Sequence, residues 1–106
     1  MLSQTDQLIA QQLKEKLQEI TQLENLVVYG SRARGDSSPD SDLDVFIEVL
    51  SITPDLRRKI SETAWEIGFM NGIIISTFVV TPFDIQEGPV GANPLLIAVK
   101  SEGIPV

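Results

Sequence analysis

No cysteine and no histidine occur in this chain of 106 residues. The first absence excludes disulfide staples, thiolate zinc sites and thiol nucleophiles. The second excludes Ser-His-Asp and Cys-His catalysis, His-ligated metals and imidazole pH switches. Bases are scarce: eight Lys and Arg stand against fifteen Asp and Glu, a net charge of −7. That balance argues against broad electrostatic adhesion to nucleic acid. No apolar run approaches the roughly 20 residues that span a bilayer, so no membrane association is expected. The opening Met1-Leu2-Ser3-Gln4-Thr5-Asp6-Gln7 has neither the basic nor the apolar region of a secretory leader. A cytoplasmic location is the resulting expectation. Chemistry must then rest on carboxylates, hydroxyls, Lys/Arg and backbone amides. A metal held by such groups is an oxygen-liganded hard cation, Mg²⁺ or Mn²⁺.

The hydrophobic fraction of 42% and the charged fraction of 22% are those of an ordinary globular chain. The length suits a single domain over residues 1–106. Residues 5–24 read as a helix with Ile9, Leu13, Leu17 and Ile20 on one stripe. Leu26-Val27-Val28-Tyr29, stopped by Gly30, reads as a buried strand. Ser31 begins a short helix or a loop that runs to Ser41. Asp42 to Leu50 alternates as a second strand, with Asp42, Asp44, Phe46 and Glu48 on one face. Thr53-Pro54 reads as an N-cap and first helical residue. Leu56, Ile60, Ala64 and Ile67 continue that helix as a core stripe, with Trp65 and Phe69 expected to widen it. Gly68 and Gly72 end or loosen it. Ile73 to Thr81 is a third strand. Residues 83–93, with Gly88, Pro89 and Gly91, read as loop. Pro94 to Ser101 is a last short helix, with Gly103 as its cap. The expected fold class is α/β (α+β): a small mixed sheet of about three strands, with helices covering one face.

The local feature that stands out is a basic edge beside an acidic cluster. Arg32 and Arg34 precede Asp36, Asp40, Asp42, Asp44 and Glu48, with no base among those five acids. Residues i and i+2 on a strand share a face about 7 Å apart, so Asp42 and Asp44 repel each other unless a cation lies near. One divalent ion, or a pair of ions, turns that repulsion into binding. Gly30 leaves a strand and permits close backbone approach. If Ser31 opens a helix, its free amides face the same mouth. The Ser31 hydroxyl and the Arg32 or Arg34 guanidinium would then hold phosphate oxygens. Phosphate contacts on one side and a hard cation on the other describe a nucleoside triphosphate site.

Rival motifs fail on single letters. Gly30 and Gly35 open a P-loop spacing, but Asp36-Ser37 stands where Lys-Ser/Thr is required. Asp40-x-Asp42-x-Asp44 starts like a calcium loop, but Val45 and Ser51 stand where Gly and Glu are required. Arg34-Gly35-Asp36 is an adhesion tripeptide only in secreted proteins.

Gly30-Ser31, ten residues, then Asp42-x-Asp44, with Ala33-Arg34-Gly35 in the gap, resembles the G-S-x(10)-D-x-D motif of the minimal nucleotidyltransferases. These belong to the DNA polymerase β-like nucleotidyltransferase superfamily. The closing Val99-Lys100-Ser101-Glu102-Gly103-Ile104 also resembles the end of such domains. The resemblance implies a polymerase β-like nucleotidyltransferase fold and Mg²⁺-dependent transfer of a nucleoside monophosphate to an acceptor hydroxyl, commonly AMP from ATP. It implies in-line attack on the α-phosphorus, with pyrophosphate leaving on the metal. Carried over by position, Asp42 and Asp44 are the catalytic metal carboxylates, and Gly30, Ser31 and Arg34 match the nucleotide-phosphate positions, with Arg32 as a further candidate. It also implies pairing with a separate helical HEPN-type protein, as antitoxin to toxin, sometimes with transfer to that partner. So small a chain has little surface to recognise an acceptor alone, which favours that hetero-complex or a homodimer.

One departure stands out. Active members carry a third carboxylate on the strand after the second helix. Here that strand is Ile73-Ile74-Ile75-Ser76-Thr77-Phe78-Val79-Val80, which has no acid, so Ser76 or Thr77 takes the slot. A hydroxyl is a weak metal ligand and a poor base at neutral pH. Glu48 lies on the Asp44 face but about 13 Å further along, and Asp84 lies past the strand. Two readings therefore compete: an active transferase, and a nucleotide-binding or interaction subunit that has lost turnover. A bare scaffold is the third. Elsewhere plain roles are expected: packing for Phe46, core for Trp65 and Phe69, and a solvated helix face for Arg57-Arg58-Lys59. Arg32 and Arg34 also have a plain alternative, pairing with nearby aspartates.

Overall fold

The structure, a computed structural model, describes residues 2–87 and 93–106. Helix α1 spans Gln4–Ile20. The Ser3 hydroxyl accepts the Asp6 amide at 3.0 Å and caps its first turn. Ile9, Leu13 and Leu17 are buried as the stripe predicts, but Ile20 is 39% exposed. The helix stops there, short of the expected residue 24, because strand β1 already begins at Leu23 and runs to Tyr29. Leu23 pairs with Val49 across the sheet, so ladder hydrogen bonds claim the residues that helical periodicity had assigned to α1.

Gly30 then leads into a one-turn helix α2, Ser31–Arg34. Strand β2, Leu43–Val49, runs antiparallel to β1. Helix α3, Pro54–Asn71, starts as expected: the Thr53 hydroxyl accepts the Leu56 amide at 3.0 Å, and Pro54 opens the first turn. Gly72 closes it. Strand β3, Ile75–Val80, lies parallel to β2. Helix α4, Pro82–Glu87, occupies the first part of what reads as loop in the sequence. Of the rest of that expected loop, residues 88–92 lie outside the described residues, and Asn93 caps the next helix. Helix α5, Pro94–Glu102, leads into strand β4, Ile104–Pro105, which pairs antiparallel with β1. The sheet has four strands in the order β3-β2-β1-β4, one more than expected.

Both faces of the sheet are covered, not one. On the first face, Leu13 and Leu17 of α1 and Ile60 and Ile67 of α3 meet Leu43, Val45, Ile47 and Val49 of β2. On the second, Leu96 and Val99 of α5 and Ile85 of α4 pack on Tyr29, Phe46 and Val80. Phe46 meets Phe78 edge-on, with ring centroids 5.7 Å apart at 72°, so its role is packing as expected. Trp65 and Phe69 are not core. They lie 67% and 72% exposed and stack on each other at 5.2 Å. Successive helical residues lie about 100° apart, so residues 65 and 69 sit beside the stripe of 60, 64 and 67 and turn outward once that stripe meets the sheet. Among the described residues, no helix is long and apolar enough to cross a membrane.

Candidate functional site

The end of β1 brings Gly30 to the mouth of the site with φ 78° and ψ −160°, a region that only glycine occupies without strain. A β-carbon at Gly30 would also overlap Oδ2 of Asp44 and lie 3.2 Å from its Cγ. Backbone shape and close approach thus demand glycine independently, and the turn rests directly on the carboxylate. Ser31 opens α2. The Gly30 carbonyl accepts the Arg34 amide at 3.0 Å and the Ser31 carbonyl accepts the Gly35 amide at 2.9 Å. The amides of Ser31 and Arg32, in the first turn, have no carbonyl partner within the helix itself.

Asp44 stands on β2 opposite Tyr29 on one side and Ser76 on the other. Asp42 is exposed and sits one residue ahead of the strand, which begins at Leu43 rather than at Asp42. The two carboxylates nevertheless share a field. Partial burial, and then the charge of Asp42, push the Asp44 carboxyl above its usual range. Arg34 opposes that shift and Glu102 adds to it. Burial and the Asp44 charge likewise raise the Tyr29 hydroxyl. Crowded negative charge next to a glycine turn is stabilised by a cation.

The two arginines divide. Arg34 lies over the turn: its Nη1 donates to Glu102 Oε2 at 2.7 Å and its Nε to Asp36 Oδ2 at 3.1 Å. It remains 47% exposed and within the field of Asp44. Arg32 turns away into the protein. Its Nη1 meets Asp6 at 3.0 Å, with both side chains nearly buried, and its Nε and Nη2 donate to the Ser41 carbonyl at 3.0 and 2.6 Å. A further bond reaches the Pro39 carbonyl at 3.3 Å. That side chain ties the loop before β2 to α1, so Arg32 leaves the set of phosphate candidates. The plain pairing with aspartate that the sequence allowed is what Arg32 makes.

Register settles which residue faces Asp44 from β3. In a parallel pair, matched residues share a face, and Asp44 matches Ser76. Thr77 matches Val45, whose side chain belongs to the core under α1 and α3. Neither conjectured substitute acid reaches the site. Glu48 accepts from Asn25 Nδ2 at 2.8 Å at the other end of the strand. Asp84 accepts the Thr81 amide at 3.0 Å, while Thr81 accepts the Asp84 amide at 3.2 Å, which caps α4. The acid that does arrive is Glu102, from the end of α5. Its Oε2 accepts both Arg34 Nη1 and the Gly30 amide, each at 2.7 Å. Among the described residues, no group of three or more Asp and Glu is placed to hold a metal, and the carboxylates beside the glycine turn are the pair Asp42 and Asp44. That donor set fits Mg²⁺, which takes one or two protein carboxylates and fills its shell with water and phosphate.

A mixed four-stranded sheet between helix layers, with a glycine turn on the carboxylate strand, is the fold of the polymerase β-like nucleotidyltransferases. Residues 10–90 match the nucleotidyltransferase domain family, and the chain belongs to that family. A solved structure described as a toxin-antitoxin with AMP-PNP shares the fold, with a TM-score of 0.55 and 16% identity over 88% of this chain and 68% of that one. No curated protein matches the chain.

Proposed function

We propose that residues 1–106 form one minimal nucleotidyltransferase domain that binds a nucleoside triphosphate with Mg²⁺ and transfers a nucleoside monophosphate, AMP from ATP, to a hydroxyl of a partner protein. The observation that carries this reading is the contact between the Gly30 turn and the Asp44 carboxylate. It supports a site in which phosphate-binding donors and metal-binding oxygens share one mouth. Asp42 and Asp44 hold the ion, which supplies Lewis-acid stabilisation of phosphate charge. Ser31, the first-turn amides of α2 and Arg34 hold phosphate oxygens. Transfer forms a bond from the acceptor oxygen to the α-phosphorus and breaks the bond to pyrophosphate.

The likeness to a toxin-antitoxin structure is the ground for proposing a partner protein, and the motif resemblance adds the finer reading, the role of antitoxin to a helical HEPN-type toxin. The exposed pair Trp65 and Phe69, with Ile74 and a groove of about 350 Å³ beside it, is a surface suited to such a contact. The cytoplasm is the compartment we assign.

Ser76 favours a second reading, a nucleotide-binding subunit without turnover, because a hydroxyl rather than a carboxylate stands opposite Asp44 on β3, and a hydroxyl is a poor acceptor for the proton. Incubation with α-labelled ATP, Mg²⁺ and the protein encoded next to this one separates the two. Label on the partner supports the transferase. Binding of Mg²⁺–ATP without transfer supports the subunit. A melting curve that Mg²⁺–ATP leaves unmoved in the wild type refutes both.

A further inference from the structure

The use of Glu102 is written into the backbone on both sides of it. It is the last residue of α5, and Gly103 turns the chain straight into β4, where Ile104 pairs with Val28 and Pro105 with Val27. Gly103 has an ordinary φ, −66°; what it supplies is room. A β-carbon there would lie 2.5 Å from Val27 Cγ1 and overlap the Val99 carbonyl. The Gly103 amide donates to that carbonyl at 2.9 Å, and the Val106 amide to the Leu26 carbonyl at 3.0 Å. The C-terminal segment is thereby laced along the free edge of β1. One carboxylate is delivered to the β1 end where Gly30 turns.

That carboxylate accepts from two groups that matter to the site. The Gly30 peptide sits in a conformation with no intrinsic preference to recommend it, and its amide is fixed by Oε2 at 2.7 Å. Arg34 is a long, exposed side chain, and the same oxygen fixes its Nη1 at 2.7 Å. Both bonds involve an ionised acceptor, the stronger class of hydrogen bond. The Glu102 side chain is only 21% exposed.

We infer that Glu102 is a positioning residue: it holds the Gly30 turn and the Arg34 guanidinium in register over Asp44, so that the C-terminal strand completes the nucleotide site. This rests on the nucleotide-binding reading above. The rival role for the same contact is a plug, in which Glu102 occupies donors that a phosphate must win. The structure favours positioning. Withdrawing Glu102 would break two charged hydrogen bonds and lift the end of α5 from β1, whereas a plug is held by contacts that release.

The test measures Mg²⁺–ATP affinity by titration calorimetry for wild type, Glu102→Ala, Glu102→Gln, Arg34→Ala and the double variant Glu102→Ala/Arg34→Ala. Glu102→Ala should weaken binding about tenfold, the lower end of what loss of an orienting partner costs. Glu102→Gln, which can still accept the Gly30 amide, should lose less. The Glu102→Ala loss should shrink in the Arg34→Ala background, because the two act as a unit. The Gly30 amide resonance should shift in Glu102→Ala and move back toward wild type in Glu102→Gln, a response that a general loss of stability would not give. If Glu102→Ala fails to fold, Glu102→Gln and the Arg34 cycle built on it carry the test. Tighter binding in the Glu102 variants establishes a plug and overturns the inference, and so does unchanged binding. A wild type that binds no nucleotide refutes the underlying site, and this inference with it.

Discussion

Replacing Gly30 by alanine perturbs fold and site by different amounts, and the structure says how the loss divides. The backbone at φ 78° and ψ −160° is a region that a residue with a β-carbon enters at about 1–3 kcal/mol. The new carbon also overlaps the Asp44 carboxylate. That carboxylate is the end of a side chain, so it can turn aside at about 0.5–1.5 kcal/mol for leaving its rotamer. The sum, roughly 1.5–4.5 kcal/mol, corresponds to a fall in melting temperature of roughly 7–20 °C for a domain of this size. The larger consequence is functional, because the group that moves is the proposed ion ligand. Urea unfolding gives the stability loss, and the Mg²⁺–ATP-dependent rise in melting temperature gives the binding loss. Gly30→Ala should lose most of that rise while the protein still unfolds cooperatively. Asp44→Ala in the same background should restore only the part of the stability lost to overlap, leaving the backbone part. A stability loss below about 0.5 kcal/mol, a typical surface substitution, or a fully retained Mg²⁺–ATP response would refute the claim that the turn rests on Asp44.

Three further outcomes follow from the same geometry. The Asp44 carboxyl is raised in the folded state by burial and by Asp42, so its contribution favours folding when protonated and is lost as pH rises through its folded-state pKa. Asp44→Asn should therefore raise the melting temperature of the metal-free protein at neutral pH, with the gain shrinking as pH falls below the carboxylate range; a gain constant with pH contradicts this. Arg32→Ala removes a nearly buried cation from Asp6 and donors from two loop carbonyls, a loss of about 3 kcal/mol by the scale of broken buried pairs. Chemical denaturation measures it, and Arg58→Ala, which breaks only exposed pairs with Asp55 and Glu62, should leave the midpoint nearly unmoved. Trp65→Ser with Phe69→Ser should change stability by no more than about 0.5 kcal/mol per site, since both rings are exposed and the helix propensities are similar; a drop of several kcal/mol would place those rings in the core after all.

What was legible in the sequence is what short-range chemistry fixes. The stripe of Ile9, Leu13 and Leu17, the Thr53-Pro54 start of α3, and the alternation that separates Leu43, Val45 and Ile47 from Asp44 and Phe46 all emerge at their expected places. Each depends on a period or a cap within a few residues. The site turn was legible for the same reason: glycine after an apolar strand, with a hydroxyl and bases next to it. Competition between elements was not. Leu23 and Glu24 fit the end of a helix by period and still join the sheet, because pairing with β2 decides the matter. Trp65 and Phe69 read as core because ring size suggests burial; only the orientation of α3 against the sheet shows them outside.

Arg32 and Glu102 carry the same point to the site itself. Two arginines two positions apart look equivalent in a basic edge, yet at about 100° per residue in a helix their faces differ by about 200°. Arg32 meets Asp6, 26 positions earlier, and Arg34 meets Glu102, 68 positions later. No local pattern marks either partner. A strand of two residues is too short to announce itself by alternation, so β4 was invisible, and with it the reason a glutamate at the end of the last helix should stand at Gly30. The available signal was Glu102-Gly103 before an apolar residue: an acid, a position free of side chain, then a residue able to join an edge. Read with the free edge that β1 must have in a sheet of three strands, that order already asks where the acid will be carried. With Ser76 rather than a carboxylate on β3, Asp42 and Asp44 are the proposed ion ligands, and the acid on α5, bonded to Gly30 and Arg34, does not act as a third. Its proposed task, ordering the turn and the Arg34 guanidinium, differs from accepting a proton, and that is why a charge near the site does not by itself argue for turnover.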